Sequence, residues 1–199
     1  MMHRVFVRTI VAIVLLATRA NGTPILGLNP SVQVVSSGAM VSVDLTISGL
    51  GDAVAPSLST FDVDIFFDPT VVTFANVIFG DSLLGDQLDL FGLGSLTSFD
   101  GSVPGLLNLF ELSFDDPLDL DELQAGSFTL ATITFLSGSP GKSSLDLSVN
   151  ALGDSFGDPL TATVSNGSVR AVPLPDTLQL LLAALLCLGV ARKIQGGTK

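Results

Sequence analysis

Two stretches near the middle of the chain alternate apolar and polar residues with a period of two. Val41, Val43, Leu45 and Ile47 alternate with Ser42, Asp44, Thr46 and Ser48. Phe61, Val63, Ile65 and Phe67 alternate with Asp62, Asp64 and Asp68, interrupted only by Phe66. Successive side chains of a strand point to opposite faces, so such a segment buries one face and wets the other. The same pattern wound into a helix would scatter its apolar residues around the whole circumference. Further β-branched and aromatic segments lie at 31–35, 71–79, 107–114, 128–136, 144–149, 160–164 and 167–172. Segment 71–79 has little polar phase and is expected to be a more buried strand. Residues 127–136 change apolar face midway, which predicts a bulge or a crossing between sheets. About eight or nine short strands are expected, the pattern of an all-β antiparallel β-sandwich or jelly roll.

Turn chemistry separates these segments. Gly-Asp pairs begin at Gly51, Gly80, Gly85, Gly153 and Gly157, and Asp68-Pro69, Ser139-Pro140-Gly141 and Asp158-Pro159 mark further turns. Asn166-Gly167, between two strand-like runs, predicts a hairpin. Residues 80–105 are rich in Leu, Gly and Asp and suggest a long loop with a partial strand around 88–96. One or two helical turns are expected at 116–125, with Asp116 as cap, Pro117 at the first position and Gly126 as the stop. The expected core phenylalanines are Phe61, Phe67, Phe74, Phe79, Phe110, Phe114, Phe128 and Phe135.

Charge divides the chain into three parts. Over residues 23–172 two cations, Lys142 and Arg170, stand against eighteen acids, a net charge of −16. The other six cations lie in the two apolar ends. A phosphate backbone is a poor ligand for so acidic a surface, which argues against nucleic-acid binding. At the N-terminal end Arg4 and Arg8 precede an unbroken apolar run at 10–17, followed by small residues. That is the layout of a signal peptide over 1–22, cleaved after Ala20 or Gly22. As a helix the run is only about 12 Å long, too short for a bilayer; a buried N-terminal helix is the alternative. At the C-terminal end Val172, Pro173, Leu174, Pro175, Asp176 and Thr177 lead into an apolar stretch at 178–190, closed by the basic stop Arg192 and Lys193. Positive residues hold that end in the cytoplasm.

The inventory of the middle part narrows its chemistry. His3 is the only histidine and Cys187 the only cysteine, and Trp and Tyr are absent from the whole chain. Between the two ends neither a Ser-His-Asp or Cys-His site nor a His/Cys zinc site can be assembled. Lys142 follows Gly141 in a turn and is expected to be a solvated charge. Carboxylates remain, and a two-carboxylate glycosidase is conceivable. Asp44, Asp62, Asp64 and Asp68, however, occupy the polar phase of their strands, where carboxylates stay ordinary. No enzyme activity and no cofactor are expected. Asp115, Asp116, Asp119, Asp121 and Glu122 form an oxygen-rich segment that would suit Ca²⁺, although their spacing is not that of an EF-hand. An acidic helix start explains the same residues through the macrodipole and is the preferred reading. Without Trp or Tyr, sugar recognition by aromatic stacking is disfavoured.

Two family resemblances follow from these motifs. The order Pro-rich motif, short apolar helix, basic stop resembles the PEP-CTERM sorting signal of Gram-negative bacteria, which an exosortase processes. The family pattern is Val-Pro-Glu-Pro-Ser-Thr; here Pro173, Pro175 and Thr177 match, while Leu174 stands in place of the glutamate and Asp176 in place of the serine. A plain C-terminal membrane anchor is the alternative. Residues 23–171 resemble a cohesin-like domain, a jelly roll related to carbohydrate-binding modules. The resemblance rests on the order of Val41-Ser42-Val43-Asp44-Leu45, the run from Ser59 to Asp68-Pro69, residues 126–135, and Asn166-Gly167-Ser168-Val169. It implies a non-catalytic adaptor that binds a dockerin-like protein, a module folded around Ca²⁺ loops. A structural component of the extracellular matrix and a polysaccharide-binding protein are the other readings. The segments 1–22, 23–171 and 172–199 together imply export across the inner membrane and residence at the cell surface or in the matrix, with membrane attachment through the C-terminal helix.

Overall fold

The computed structural model of the protein describes residues 22–173. The apolar run at 10–17, most of the sorting motif from Leu174 onward and the basic stop at Arg192 and Lys193 lie outside the described residues. Eleven strands and one helix follow in order. They are β1 (Ile25–Asn29), β2 (Val32–Ser36), β3 (Met40–Ser48), β4 (Thr60–Phe67), β5 (Val72–Phe79), β6 (Ser95–Asp100), β7 (Leu106–Ser113), α1 (Pro117–Leu123), β8 (Ser127–Ser137), β9 (Gly141–Gly153), β10 (Thr163–Ser165) and β11 (Gly167–Val172). One sheet has the order β10-β1-β3-β8-β5 and the other β2-β11-β9-β4-β7-β6. The expected β-sandwich forms, with more strands than the eight or nine expected.

The alternating segments build the centre. On β3 and β4 every second side chain is buried, and Val43, Leu45, Ile47, Phe61, Val63 and Ile65 are all at most 1% exposed. Phe67 and Phe135 meet edge to face across the sandwich, centroids 5.2 Å apart. The switch of face in β8 is a bulge. Leu45 pairs with Ala131 and Thr46 with Thr129, which leaves Leu130 without a partner. Leu130 and Ala131 are consequently both buried, and the strand bends without losing its apolar face. Two further irregularities lie in the β4–β9 and β5–β8 pairings.

Several expectations are corrected. Asn166-Gly167 does not make a hairpin: β10 pairs parallel with β1 in one sheet, and β11 pairs parallel with β2 in the other. The chain crosses between sheets there, and Asn166 ties the crossing to β9 by accepting from Leu147 N at 3.0 Å. Segment 71–79 is not a buried central strand. β5 is an edge, and past Val72 its residues are half-buried or exposed, Ile78 strongly so. The strand expected around 88–96 begins at Ser95, after a run of turns whose amides bond to aspartates. Phe110 and Phe114 are not core. Phe110 shares the outer phase of β7 with Asn108 because Leu107 and Leu109 take the inner one, and Phe114 lies past the strand, exposed. Phe74 and Phe79 pack on the core while partly exposed.

The helix forms as its caps demand. Asp116 accepts from Leu118 N at 2.9 Å, and Pro117 sits in the first turn. It ends at Gln124 rather than Gly126. Gln124 is buried, with its amide bonded to Leu58 N, Leu58 O and Gln87 O; those tertiary bonds end the helix where sequence expects a glycine. One glycine is obligatory for packing: a Cβ on Gly51 would lie 1.6 Å from Val54 O.

Candidate partner-binding face

The six-stranded sheet turns a broad face to solvent, assembled from the polar phases of its strands. Cross-strand register brings Asp62 opposite Phe110, Asp64 opposite Asn108 and Ser148, and Phe66 opposite Leu106 and Asp146. Asp62 and Asp64 lie two residues apart on one strand, so both carboxylates project from the same side. A single side chain holds them. Asn108 Nδ2 donates to Asp62 Oδ1 at 2.7 Å and to Asp64 Oδ1 at 2.8 Å. Asn150, the extra residue where β9 bulges against β4, donates to Asp62 Oδ1 at 3.1 Å. One oxygen of each carboxylate is thereby fixed by amides and the other is left for a donor from outside.

Apolar groups border this pair. Phe66 and Leu96 are exposed and Phe110, Leu106 and Leu112 half-buried, all on the same side of the sheet. Asp100 and Asp146 add negative charge; Ser102 N holds Asp100 below the usual carboxylate range. The two cations, Lys142 and Arg170, lie opposite one another on β9 and β11, toward the β2 edge. The centre of the face is therefore acidic, amide-braced and aromatic-edged, and a partner would bring hydrogen-bond donors or cations with apolar contacts beside them.

The remaining acids singled out from sequence are dispersed. Asp44 lies on the outer side of the other sheet and accepts from Thr132 Oγ1 at 2.7 Å. Asp68 caps a turn, where the hydroxyl and amide of Thr70 hold its carboxyl below the usual range. Asp115 accepts from Leu90 N, Asp116 caps α1, and Asp119 sits in its first turn. Asp121 accepts from Ser57 and Ser155 hydroxyls at 2.6 and 2.9 Å, and Glu122 is exposed. Among the described residues no three His, Cys, Asp or Glu side chains are grouped to hold a metal ion. Lys142 is exposed. Of the sorting motif, Val172 is the last residue of β11 and Pro173 follows it. No helix among the described residues is long and apolar enough to cross a membrane.

One functional-looking group escaped the sequence reading. Glu111 is fully buried on the inner phase of β7, the side that Leu107 and Leu109 share. A depression of about 560 Å³ near the end of β9, lined by Thr60, Asn150, Pro159 and Leu160 among others, contains no titratable side chain.

Solved structures of the same architecture exist. A cohesin CaCohA2, in complex with the dockerin CaDoc0917, matches with a TM-score of 0.59 at 18% identity, covering 75% of this chain and 100% of that one. The sixth cohesin of scaffoldin B from Acetivibrio cellulolyticus, in complex with a Cel5 dockerin, matches with 0.59 at 20% identity over 76% of this chain and 100% of its own. The fold is cohesin-like. A non-cellulosomal cohesin from the archaeon Archaeoglobus fulgidus extends the likeness, with 0.56 at 16% identity over 79% of this chain and 97% of that one. No family model and no curated protein matches the chain. At these identities the likeness concerns the fold, and the chemistry of the cohesin-like sandwich has to be read from its own face.

Proposed function

We propose that this chain is an exported, non-catalytic binding module that docks a dockerin-like protein on the outer face of its six-stranded sheet. The observation that carries the reading is the Asp62–Asp64 pair braced by Asn108 and edged by Phe66 and Phe110, on a cohesin-like sandwich. Flat sheet faces of this kind gain affinity from a few aromatic and charged anchors, with the surrounding contacts excluding water. Structures of cohesins in complex with dockerins support the class of partner. The absence of His, Cys, Tyr and Trp between residues 22 and 173 supports a binding rather than a catalytic role. Calcium dependence would enter through the partner. The two ends supply the address: signal peptide at 1–22, and a PEP-CTERM-like segment at 172–199 presented to an exosortase, leaving the module at the cell surface or in the matrix.

Titration calorimetry of the folded protein against a panel of isolated dockerin modules, in calcium and in chelator, tests the reading. Calcium-dependent binding that is lost when Asp62 and Asp64 are both changed to Lys supports it. Failure of every dockerin to bind the folded protein, or binding that survives the double charge reversal, overturns it.

A further inference from the structure

Glu111 points into the sandwich from β7 with none of its surface exposed. Ser95 Oγ, at the head of β6, donates to Oε1 at 2.6 Å. Oε2 is buried and has no donor within reach. The side chain that neighbours Glu111 is another acid, Asp86, and Asp89 stands near both. Asp115, buried with Oδ1 equally without a donor, is close to Asp86, Asp89 and Asp119. The ionisable groups that act on Glu111 are both carboxyls, Asp86 and Asp89 from the 80–94 segment; Asp115 and Asp119, from the β7–α1 connection and α1, lie beyond them, beside Asp86 and Asp89. β6 contributes Ser95. Lys142 and Arg170 sit on β9 and β11, which β4 separates from β7.

A fully buried carboxyl with a second acid beside it does not ionise without a cation, and a proton kept on the buried group removes the conflict. We infer that Glu111 is a neutral carboxylic acid that donates its Oε2 proton to Asp86, and that this shared proton latches the 86–94 segment and β6 onto β7. The segment is framed by the same carboxylates. Leu88 N donates to Asp86 Oδ1 at 2.9 Å, Leu90 N to Asp115 Oδ2 at 2.7 Å, and Gly94 N to Asp89 Oδ1 at 2.9 Å. Loss of the proton to solvent base leaves facing carboxylates that repel, and the segment they frame is released. The affected surface is apolar: Phe91 is half exposed and Leu93 more so. The latch therefore decides whether this apolar rim is held in place.

Burial first, and the neighbouring acids with it, pushes the Glu111 carboxyl from 4.5 up to about 8. Burial likewise pushes Asp115 up. A raised carboxyl favours folding fully below its unfolded value, and the contribution declines with rising pH until the folded value is passed. The window for Glu111 runs from 4.5 to about 8.

The chain has only two glutamates, Glu111 and Glu122. Full-length protein labelled with ¹³C at the glutamate carboxyls therefore gives two signals in a pH titration. One signal moving near pH 8 supports the latch; both moving below pH 6 overturn it. Hydrogen exchange gives a second readout. The amides of Leu88, Leu90 and Gly94 are expected to lose at least tenfold in protection relative to β8 amides between pH 7 and pH 9. In Glu111→Gln, whose amide donates to Asp86 at any pH, that loss disappears. An unchanged pH profile in the variant overturns the proposal. A shift of the Glu111 signal on adding millimolar Ca²⁺ at pH 7, reversed by chelator, also overturns it, because a cation would then hold the acids in place of a proton.

Discussion

The two outer faces of the sandwich are built by one rule and end with different chemistry. On the five-stranded sheet, hydroxyl side chains and Asp44 share the outer phase with the exposed apolar Met40, Ile78 and Leu136, and several of the hydroxyls bond to one another, to Asp44 or to the backbone. Thr132 bonds Asp44, Thr46 reaches Gly27 O, and Thr73 reaches Leu136 O. On the six-stranded sheet the same phase holds Asp62 and Asp64, two amides and two aromatic rings. A face whose polar groups bond internally offers a partner apolar contact but little direction. A face with braced carboxylates and exposed rings offers both direction and apolar contact. The difference teaches that strand alternation alone does not mark a binding surface; what occupies the polar phase, and how far it is already satisfied, does.

The largest expected effect falls on both faces alike. Phe135→Ala empties the contact with Phe67 at the centre of the shared core and is expected to cost about 3–5 kcal/mol in denaturant unfolding. If partner binding by the refolded variant weakened on one face only, the core would not be shared as described. Next comes the contrast itself. Reversing Asp62 and Asp64 to Lys is expected to weaken partner binding by about 2 kcal/mol or more, measured by calorimetry. Thr132→Lys on the opposite face should leave the affinity unchanged. Asn108→Ala removes the donor shared by both carboxylates. It is expected to cost about 1 kcal/mol of affinity by loosening their orientation, with a smaller change in melting temperature. Thr132→Ala is the smallest, within about 0.5 kcal/mol of wild-type stability, since Asp44 beside it is only half-buried. A larger loss there would mean that the hydroxyl face contributes more than its bonds suggest.

How far the fold was legible depended on how cleanly a strand's phases differ. β3 and β4 declared themselves because Asp, Ser and Thr occupied every second position. The bulge in β8 was visible as a change of apolar face, since Leu130 and Ala131 break the period in the sequence itself. In β7 both phases carry leucines, and phenylalanine drew the assignment to the wrong one. Asn108 was the available signal: a polar residue in phase with Phe110 marks that side as outer, which puts Glu111 inside. Strand 71–79 misled for the opposite reason, since an edge strand of a sandwich can be apolar throughout and still be half exposed. The acids of the candidate face were correctly placed toward water. Their pairing through Asn108 was not legible, because the residues that meet are more than 40 positions apart and depend on strand order.

Local chemistry in the sequence determined the strand-rich sandwich, the positions of most turns, the capped start of α1 and the strongly acidic character of residues 23–172. Alternation, Gly-Asp turns and the Asp116-Pro117 cap act within a few residues and need no tertiary partner. Tertiary structure alone decided that Asn166-Gly167 crosses between sheets, that α1 stops at Gln124 and that Asp62 and Asp64 share a brace. It also decided that Glu111 neighbours Asp86. Each of these depends on which distant strands become neighbours, and register, burial and the proximity of like charges exist only once the two sheets have packed.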